Sequence, residues 1–198
     1  MHPAPQFQWD DEPAMLAAAR AMGWARIFAM TPAGPRVAHV AVMVDAARRV
    51  LRFHLAKANL IVPGLTEGRV LALFEGPHAY VSASWYAEPE RHVPTWNYLA
   101  IECEGPVIEL GYDAMHGLLD DSARHNESVV GGDWSITTGD ETRIVGMMAA
   151  IVAYEMPIEA MRGTRKLSQD DGADRAGLAA GVDRQGGEQL AALMRAEP

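Results

Sequence analysis

Apolar residues along the first half of the chain form short runs separated by turn residues, a pattern that is typical of strands. Helical spacing occurs near 12–22, where Asp11 can cap the first turn and Gly23 follows as a terminator, and a short helical or irregular piece is expected around 59–67. Further runs bounded by Pro, Gly and Asp predict strands over 24–30, 36–44, 50–55, 69–74 and 79–86. Their hairpin-like spacing favours an antiparallel sheet.

The second half of the chain begins with one more strand and then turns helical. The run at 96–110 is interrupted by Gly105-Pro106, and because Pro cannot serve a central ladder, this pair predicts a bulge or a sharp bend. Apolar spacing then predicts helices over 112–124 and 141–151. A strand over 151–156 and a short helical turn up to Gly163 follow.

The predicted architecture is mainly β with peripheral helices, an α+β class. Six strands with one bend fit a small antiparallel barrel, closed or partly open. The residues from Asp170 onward contain five Gly and seven Ala but no aromatic residue, so they predict a short helix near 187–196 and a mobile connector. We therefore expect one domain over 1–169 and a C-terminal helical tail over 170–198.

Composition and charge exclude several classes of protein. The formal charge of the 198 residues is −9, which argues against a stand-alone DNA-binding module. Cys103 is the only cysteine, so an internal disulfide and a cysteine-based zinc site are impossible. The longest uncharged run has 12 residues, too few for a membrane span, and acidic residues precede the first arginine, unlike in a signal peptide. These features predict a soluble, cytoplasmic protein with no membrane partner.

Familiar catalytic motifs are missing from the sequence. It contains no phosphate-binding glycine loop, no nucleophile elbow and no His-Glu-x-x-His zinc motif. The seven histidines include no pair at i, i+4, although a metal site assembled from distant histidines stays open. The sequence thus disfavours hydrolases and nucleotide-hydrolysing enzymes, and we predict no catalytic residues and no metal.

Four segments are rich in polar and aromatic groups. At 54–59, where a strand ends, a His, a Lys and an Asn are suited to holding a phosphate, or they form a solvated strand end. At 76–86, strand alternation places Tyr80, Ser82, Ser84 and Tyr86 on one face. That face could line a site for a planar heteroaromatic ligand or could simply meet solvent.

The other two segments lie at 93–98 and 162–169. In the first, Thr and Asn side chains flank two large rings, an arrangement that can bind a ligand or cover a core. The second is the only locally basic stretch of this acidic chain. It is either a solvated turn or a group that reaches an anion.

Three of these segments carry a family resemblance. The motifs GPHAYVSASWY at 76–86, VPTWNY at 93–98 and KLSQ at 166–169 resemble the PaiB-type family of FMN-binding negative transcriptional regulators, which have the flavin-binding split-barrel fold. The segment HLAKAN at 54–59 also fits, and the resemblance runs from about Phe7 to the region of Ala180. Two departures are Val40-Ala41 after His39, where the family usually has Leu-Pro, and Leu60 after Asn59, where it usually has Pro.

The resemblance implies a homodimer of split barrels with an FMN site at each end of the shared interface. It implies that the phosphate or ribityl chain is held by His54, Lys57 and Asn59, helped by His39. The isoalloxazine would be lined by Ser82, Ser84, Trp85 and Tyr86. The site would be closed by Thr95, Trp96 and Asn97, either of the same chain or of the partner chain. It would be completed by Lys166 and Gln169 unless these two only pin the last turn.

Two functions follow from the resemblance. In the first, the protein is a flavin-binding regulator that represses transcription, with weak and salt-dependent DNA contact through Arg162, Arg165 and Lys166. The alternative is a flavin-dependent oxidoreductase of the pyridoxamine-phosphate-oxidase-like or flavin-reductase-like split-barrel class. There the flavin supplies the chemistry while the protein positions it.

Overall fold

The computed structural model of the protein describes residues 4–196. The chain folds into two compact units. The first, here called the terminal unit, contains the chain up to Met15, the segment Phe74–Glu102 and the chain from Arg162 onward. The second, here called the central unit, contains Leu16–Leu73 and Cys103–Met161.

Strands dominate the described chain. They are β1 (Gln8–Trp9), β2 (Trp24–Thr31), β3 (Gly34–Asp45), β4 (Val50–Ala56), β5 (Arg69–Val81), β6 (Thr95–Pro106), β7 (Ile108–Glu109), β8 (Ile151–Pro157) and β9 (Ala160–Lys166). Hydrogen-bonded neighbours follow the order β1-β9-β6-β5-β2-β3-β4-β8-β7. The registers of β1 with β9, of β2 with β3 and β5, and of β4 with β3 and β8 are antiparallel. The mainly antiparallel β class predicted from the sequence is confirmed.

Six helices complete the described structure. They are α1 (Glu12–Met22), α2 (Val62–Leu65), α3 (Tyr112–Val130), α4 (Glu141–Met148), α5 (Arg175–Arg184) and α6 (Glu188–Ala196). The helices predicted at 112–124, 141–151 and 187–196 are confirmed, although α4 ends three residues earlier than predicted. Helix α3 runs six residues longer, to Val130, and is followed by Gly131, whose φ of 76° is left-handed. Residues 175–184 form α5, although composition predicts a connector there and only residues 174–178 resemble a short helix of the family. Among residues 4–196, no helix combines the length and the apolar composition that a membrane span requires.

The prediction of six strands is wrong, because residues 4–196 form nine. Two of the additional strands, β1 and β7, have only two residues each and so leave no alternation in the sequence. Strand β9, predicted as a helical turn, has the sequence AMRGTRK, which lacks the apolar alternation of a strand. Its hydrogen-bonded neighbours β1 and β6 define it, and the pairing with β1 joins residues far apart in the chain.

Strand β5 also differs from the prediction. The two strands expected at 69–74 and 79–86 are one strand that runs through Gly76-Pro77 and ends at Val81. Beyond Val81 the chain turns into a single 3-10 turn, Ala83–Trp85, and the Oγ of Ser82 accepts the N–H of Ser84 at 3.2 Å. The alternation of side chains therefore stops four residues before Trp85.

In the central unit, β2 and β3 form a hairpin paired from Trp24 with Ala41 to Thr31 with Gly34. Alternation buries the small and branched residues of one face, which include Ile27 and Val40. The opposite face keeps large apolar side chains in solvent: Trp24, Phe28, Met30 and Val37. A separate core under α3 and α4 contains Met115, Leu118, Ile136, Met148 and Ala153.

In the terminal unit, α5 and α6 pack on the end of β5. Their fully buried residues Leu178, Val182, Leu190 and Met194 contact Val81, Tyr86 and Leu167 in one core. The side chain of Trp85 packs against the same cluster. The C-terminal residues are therefore part of the core that supports the predicted ligand segments.

Candidate functional site

The first residue of β6 and the last residue of β9 meet in the terminal unit. The Lys166 ammonium donates to Thr95 Oγ1 at 2.6 Å and to the Trp96 carbonyl at 2.9 Å, and it lies 5.4 Å from the centroid of the Phe7 ring. Burial lowers the pKa of Lys166, although the carboxylates of Asp170 and Asp171 act in the opposite direction. The structure thus brings together the KLSQ and VPTWNY motifs, which are some seventy residues apart.

Gln169 closes the turn that follows β9. Its Oε1 accepts the N–H of Leu167 at 2.7 Å, and its Nε2 donates to the carbonyls of Arg165 at 2.6 Å and Gln6 at 3.0 Å. The turn also contains Ser168, whose φ of 59° is left-handed. The three backbone hydrogen bonds of its amide therefore hold this turn in place.

Asn97 is fully buried beside this turn. Its Nδ2 donates to Ser168 Oγ at 2.9 Å and to Met194 Sδ at 3.6 Å. Within residues 4–196 its Oδ1 has no hydrogen-bond partner. Burying an amide oxygen without a hydrogen-bond donor costs free energy of folding. Asn97 is therefore an incompletely satisfied polar side chain in an otherwise apolar core.

Three rings form an exposed surface, here called the aromatic patch, that consists of His78, Tyr80 and Trp96. The ring centroid of Trp96 lies 6.1 Å from that of His78 and 6.2 Å from that of Tyr80, which meets it edge-on. The side chain of Trp96 is 55% exposed and that of Tyr80 41%. Sequence reasoning did not select His78, although the period-2 spacing of 78 and 80 on one strand face could have indicated it.

The residues predicted to line the ring at 82–86 are arranged differently from the expected strand face. The Oγ atoms of Ser82 and Ser84 lie 2.8 Å apart within the 3-10 turn. Trp85 packs so closely on α5 that a Cβ on Gly181 would lie 2.4 Å from its indole ring. The shared face predicted for Tyr80 and Tyr86 is wrong, because the turn interrupts the alternation.

Tyr86 is buried within the terminal unit. Its ring stacks on His92 with centroids 3.8 Å apart, and its hydroxyl donates to Asp171 Oδ2 at 3.1 Å. Burial, together with the charge of Asp171, raises the pKa of Tyr86 to about 12. Tyr86 therefore stays a neutral hydrogen-bond donor that ties the 3-10 turn to the segment after β9.

The predicted phosphate residues lie in the central unit. His54 is a half-buried residue of β4 opposite Ala153 of β8, and burial lowers the pKa of its imidazole. Lys57 is exposed; its Nζ donates to the Ala149 carbonyl at 2.8 Å and its N–H to the Ala150 carbonyl at 3.0 Å. The Lys57 ammonium is thus held at the carboxyl end of α4, where cations are favoured.

Two further residues were predicted beside this phosphate group. Asn59 Oδ1 accepts the N–H of Ile61 at 3.2 Å in the turn that leads into α2, so its oxygen is engaged while its Nδ2 is a further donor. His39 is exposed on β3, directly across the register from Arg26 of β2.

These side chains fit the chemistry of FMN. A dianionic phosphate is bound by ammonium, imidazole and amide N–H donors, which Lys57, His54 and Asn59 supply. A planar heteroaromatic ring stacks on exposed aromatic faces, which the aromatic patch supplies. No cluster of three or more potential metal ligands is found among residues 4–196.

Comparison with known proteins gives one family. A family model described as a "Putative FMN-binding domain" matches residues 1–160. The protease synthase and sporulation protein PAI 2 of Bacillus subtilis (strain 168) is 33% identical over 105 residues, which are 51% of this chain and 48% of that protein. An uncharacterized protein of Aspergillus fumigatus is 29% identical over 183 residues, 73% of this chain and 70% of that protein.

Solved structures share the fold at low sequence identity. The flavocytochrome Anf3 from Azotobacter vinelandii superposes with a TM-score of 0.67 at 13% identity, covering 89% of this chain and 78% of that one. The FAD and heme binding protein from Mycobacterium smegmatis superposes with a TM-score of 0.63 at 16% identity, covering 88% and 80%. The fold is thus similar to flavin-binding split-barrel folds.

Proposed function

This chain belongs to the family of FMN-binding domains, so FMN is its cofactor, and we propose that in a homodimer Trp96 of one copy contacts the isoalloxazine while Lys57 of the other copy holds the phosphate. The observation that carries the proposal is the state of Trp96. Its backbone carbonyl is fixed by Lys166, yet more than half of its indole faces solvent. An exposed aromatic ring whose backbone is held in place is suited to stacking a planar ligand.

The remaining predicted residues have supporting roles in this proposal. Thr95 and Lys166 set the position of the Trp96 backbone, and Asn97 and Gln169 hold the adjoining turn against α6 and β9. The hydroxyls of Ser82 and Ser84 offer hydrogen bonds to the polar edge of the ring. The phosphate group is completed by His54, Asn59 and His39, and the turn at 83–86 is held by Trp85 and Tyr86.

The variant Lys57→Ala tests the contact with the phosphate separately from the contacts with the rest of the flavin. We expect this variant to bind FMN about tenfold more weakly, because one charge-assisted hydrogen bond is worth about 1.5–3 kcal/mol at most and part of it is screened. Riboflavin, which has no phosphate, should bind the variant and the unmodified protein alike. Fluorescence titrations with both flavins measure the difference.

Arg20→Ala is the matched control for this experiment, because Arg20 is an exposed cation of α1 and its loss changes the net charge equally. It should leave both affinities within about twofold. If Lys57→Ala weakened FMN and riboflavin to the same degree, Lys57 would not hold the phosphate.

We further propose that the protein represses transcription, on the strength of its resemblance to the PaiB-type regulators. The proposed DNA contact would lie in the basic stretch on β9, whose cations already have partners. Arg162 Nε lies 3.5 Å from Glu102, Arg165 stacks over Trp9 at 5.2 Å, and Lys166 is held by Thr95. A gel-shift titration at low salt tests DNA contact directly, and because of these partners we favour repression through another protein.

A homodimer is the second part of the proposal. The exposed apolar face of β2 and β3 contains Met30, which is 68% exposed, with Phe28 and Trp24 beside it along the strand. Such faces are uncommon on monomers and typical of subunit interfaces. Met30→Glu should convert a dimer to a monomer in sedimentation velocity. Met147→Glu, at a residue of α4 that is 63% exposed, should leave a dimer, and a monomeric unmodified protein would overturn the proposal.

A further inference from the structure

The helical part of the central unit contains two adjoining clefts that the flavin proposal does not use. The first, about 310 Å³, lies between the start of α3 and α4, and its apolar lining includes Tyr112, Ile144 and Val145. The second, about 390 Å³, lies beside the end of α3 and is lined by Trp134. Thr137 lines both, so we describe them together as the helical groove.

Apolar side chains in this groove are open to solvent. Tyr112 is 54% exposed, Val145 47% and Trp134 46%, although Ile136 and Met148 beneath them are buried. Exposed aromatic and branched side chains over buried apolar residues give a docked side chain a pocket to fill and apolar surface to contact.

Charge is concentrated around the same groove. Residues 112–148 contain seven acidic side chains against two arginines and no lysine, so they carry more than half of the net charge of −9. Glu141 lines the first cleft, and Glu127 and Asp133 line the second, whose one cation, Arg124, is paired with Asp120. Asp113, at the start of α3, is exposed next to Tyr112. Acidic side chains, here called the rim of the groove, therefore adjoin its exposed apolar side chains.

We propose that the helical groove docks a basic, amphipathic segment of a partner protein, most simply a helix with leucine-like side chains on one face and Lys or Arg on the other. Apolar anchors would enter the clefts and the cations would meet Glu141, Glu127 and Asp133. Helix-in-groove binding uses this combination of apolar anchors and complementary charge.

Charge complementarity selects this occupant over the others. A second copy of the chain would bring the same acidic rim against itself, and nucleic acid would bring phosphates, so both would be repelled. A basic segment gains from the rim at long range and from the apolar lining at contact. The inference is independent of flavin binding, since none of these residues is assigned to the flavin.

The test uses the full chain and a fluorescein-labelled Leu/Lys peptide of about 14 residues, four helical turns with leucines on one face. Two control peptides replace every Lys by Glu or every Leu by Ser. We expect anisotropy titrations to show saturable binding of the Leu/Lys peptide only, weakened by added salt. Equal binding of the Leu-to-Ser peptide would show charge attraction without a groove, and binding of the Lys-to-Glu peptide would contradict the role of the rim.

Matched variants on α4 locate the contact. Val145→Lys places a cation in the groove and should weaken the Leu/Lys peptide at least about tenfold, the effect of losing one apolar anchor and adding repulsion. Met147→Lys adds the same charge to the same helix at a residue that does not line either cleft, and should change the affinity less than about twofold.

Val145→Ser checks that any loss does not come from the introduced charge or from unfolding, and thermal unfolding of each variant is recorded alongside. The smaller variant should also weaken the peptide, with an unchanged unfolding temperature. Equal losses of peptide affinity in Val145→Lys and Met147→Lys would overturn the proposal. So would a change of oligomeric state in Val145→Lys without any loss of peptide affinity, because the groove would then be an interface between copies of this chain.

Discussion

Replacing Gly105 with alanine should lower the free energy of unfolding by about 3 kcal/mol, the upper range for overpacking a tightly packed position. A Cβ on Gly105 would lie 1.9 Å from the carbonyl oxygen of Pro157 and 3.1 Å from its carbonyl carbon. Both atoms are backbone, so no side chain can turn aside and the strand itself must move. Urea denaturation measures the change.

Gly117→Ala is the matched control. Gly117 lies in α3, and a Cβ there would meet no atom within 4 Å. The same substitution should therefore stabilise the protein by about 0.5–1 kcal/mol, since alanine is the better helix former. A Gly105→Ala protein as stable as the unmodified chain would show that β6 and the end of β8 do not approach each other so closely.

Trp96→Ala should reduce the affinity for FMN and for riboflavin together, by about tenfold or more, because loss of one stacked aromatic side chain costs about 1–3 kcal/mol. The equal loss distinguishes this variant from Lys57→Ala, which should affect FMN alone. Fluorescence titrations with both flavins give the two affinities for each variant.

Trp134→Ala serves as the control for the tryptophan variant. Trp134 is 46% exposed, close to the 55% of Trp96, but lies in the helical groove. It should leave flavin affinity unchanged. If Trp96→Ala also left both flavins bound as before, the aromatic patch would not be the ring site.

Local sequence signals were sufficient where neighbouring elements pair. The hairpin of β2 and β3 follows from valine-rich alternation on both sides of a Thr-Pro-Ala-Gly-Pro turn, and both of its strands are confirmed. Helix α4 follows from apolar spacing behind Asp140, whose carboxylate accepts the N–H of Arg143 at 2.7 Å.

Signals failed where pairing is non-local or where the backbone departs from regular geometry. Strand β9 has no alternation of its own, and its partner β1 is more than 150 residues away. At the end of β5, the 3-10 turn at Ala83–Trp85 stops the alternation that placed Tyr86 on the same face as Tyr80. A run of serines and aromatics does not distinguish a strand from such a turn.

The candidate site shows the same division. The contact of Lys166 with Thr95 joins residues 71 positions apart, and only the family resemblance placed them in one site beforehand. His78 was missed because the strand face was judged from residues 80–86, most of which lie beyond the end of β5 at Val81. The side-chain oxygens of Asn59 and Gln169 each accept a backbone N–H. Polar residues of a motif therefore also stabilise the local backbone.

Titration of FMN with the flavin-free protein tests the central claim most directly. Flavin emission is followed as protein is added, and the visible absorbance band of the complex is recorded at the end point. We predict saturable quenching at one FMN per chain, with riboflavin binding more weakly. Emission that stays proportional to total FMN while the protein is in excess would contradict flavin binding by this chain.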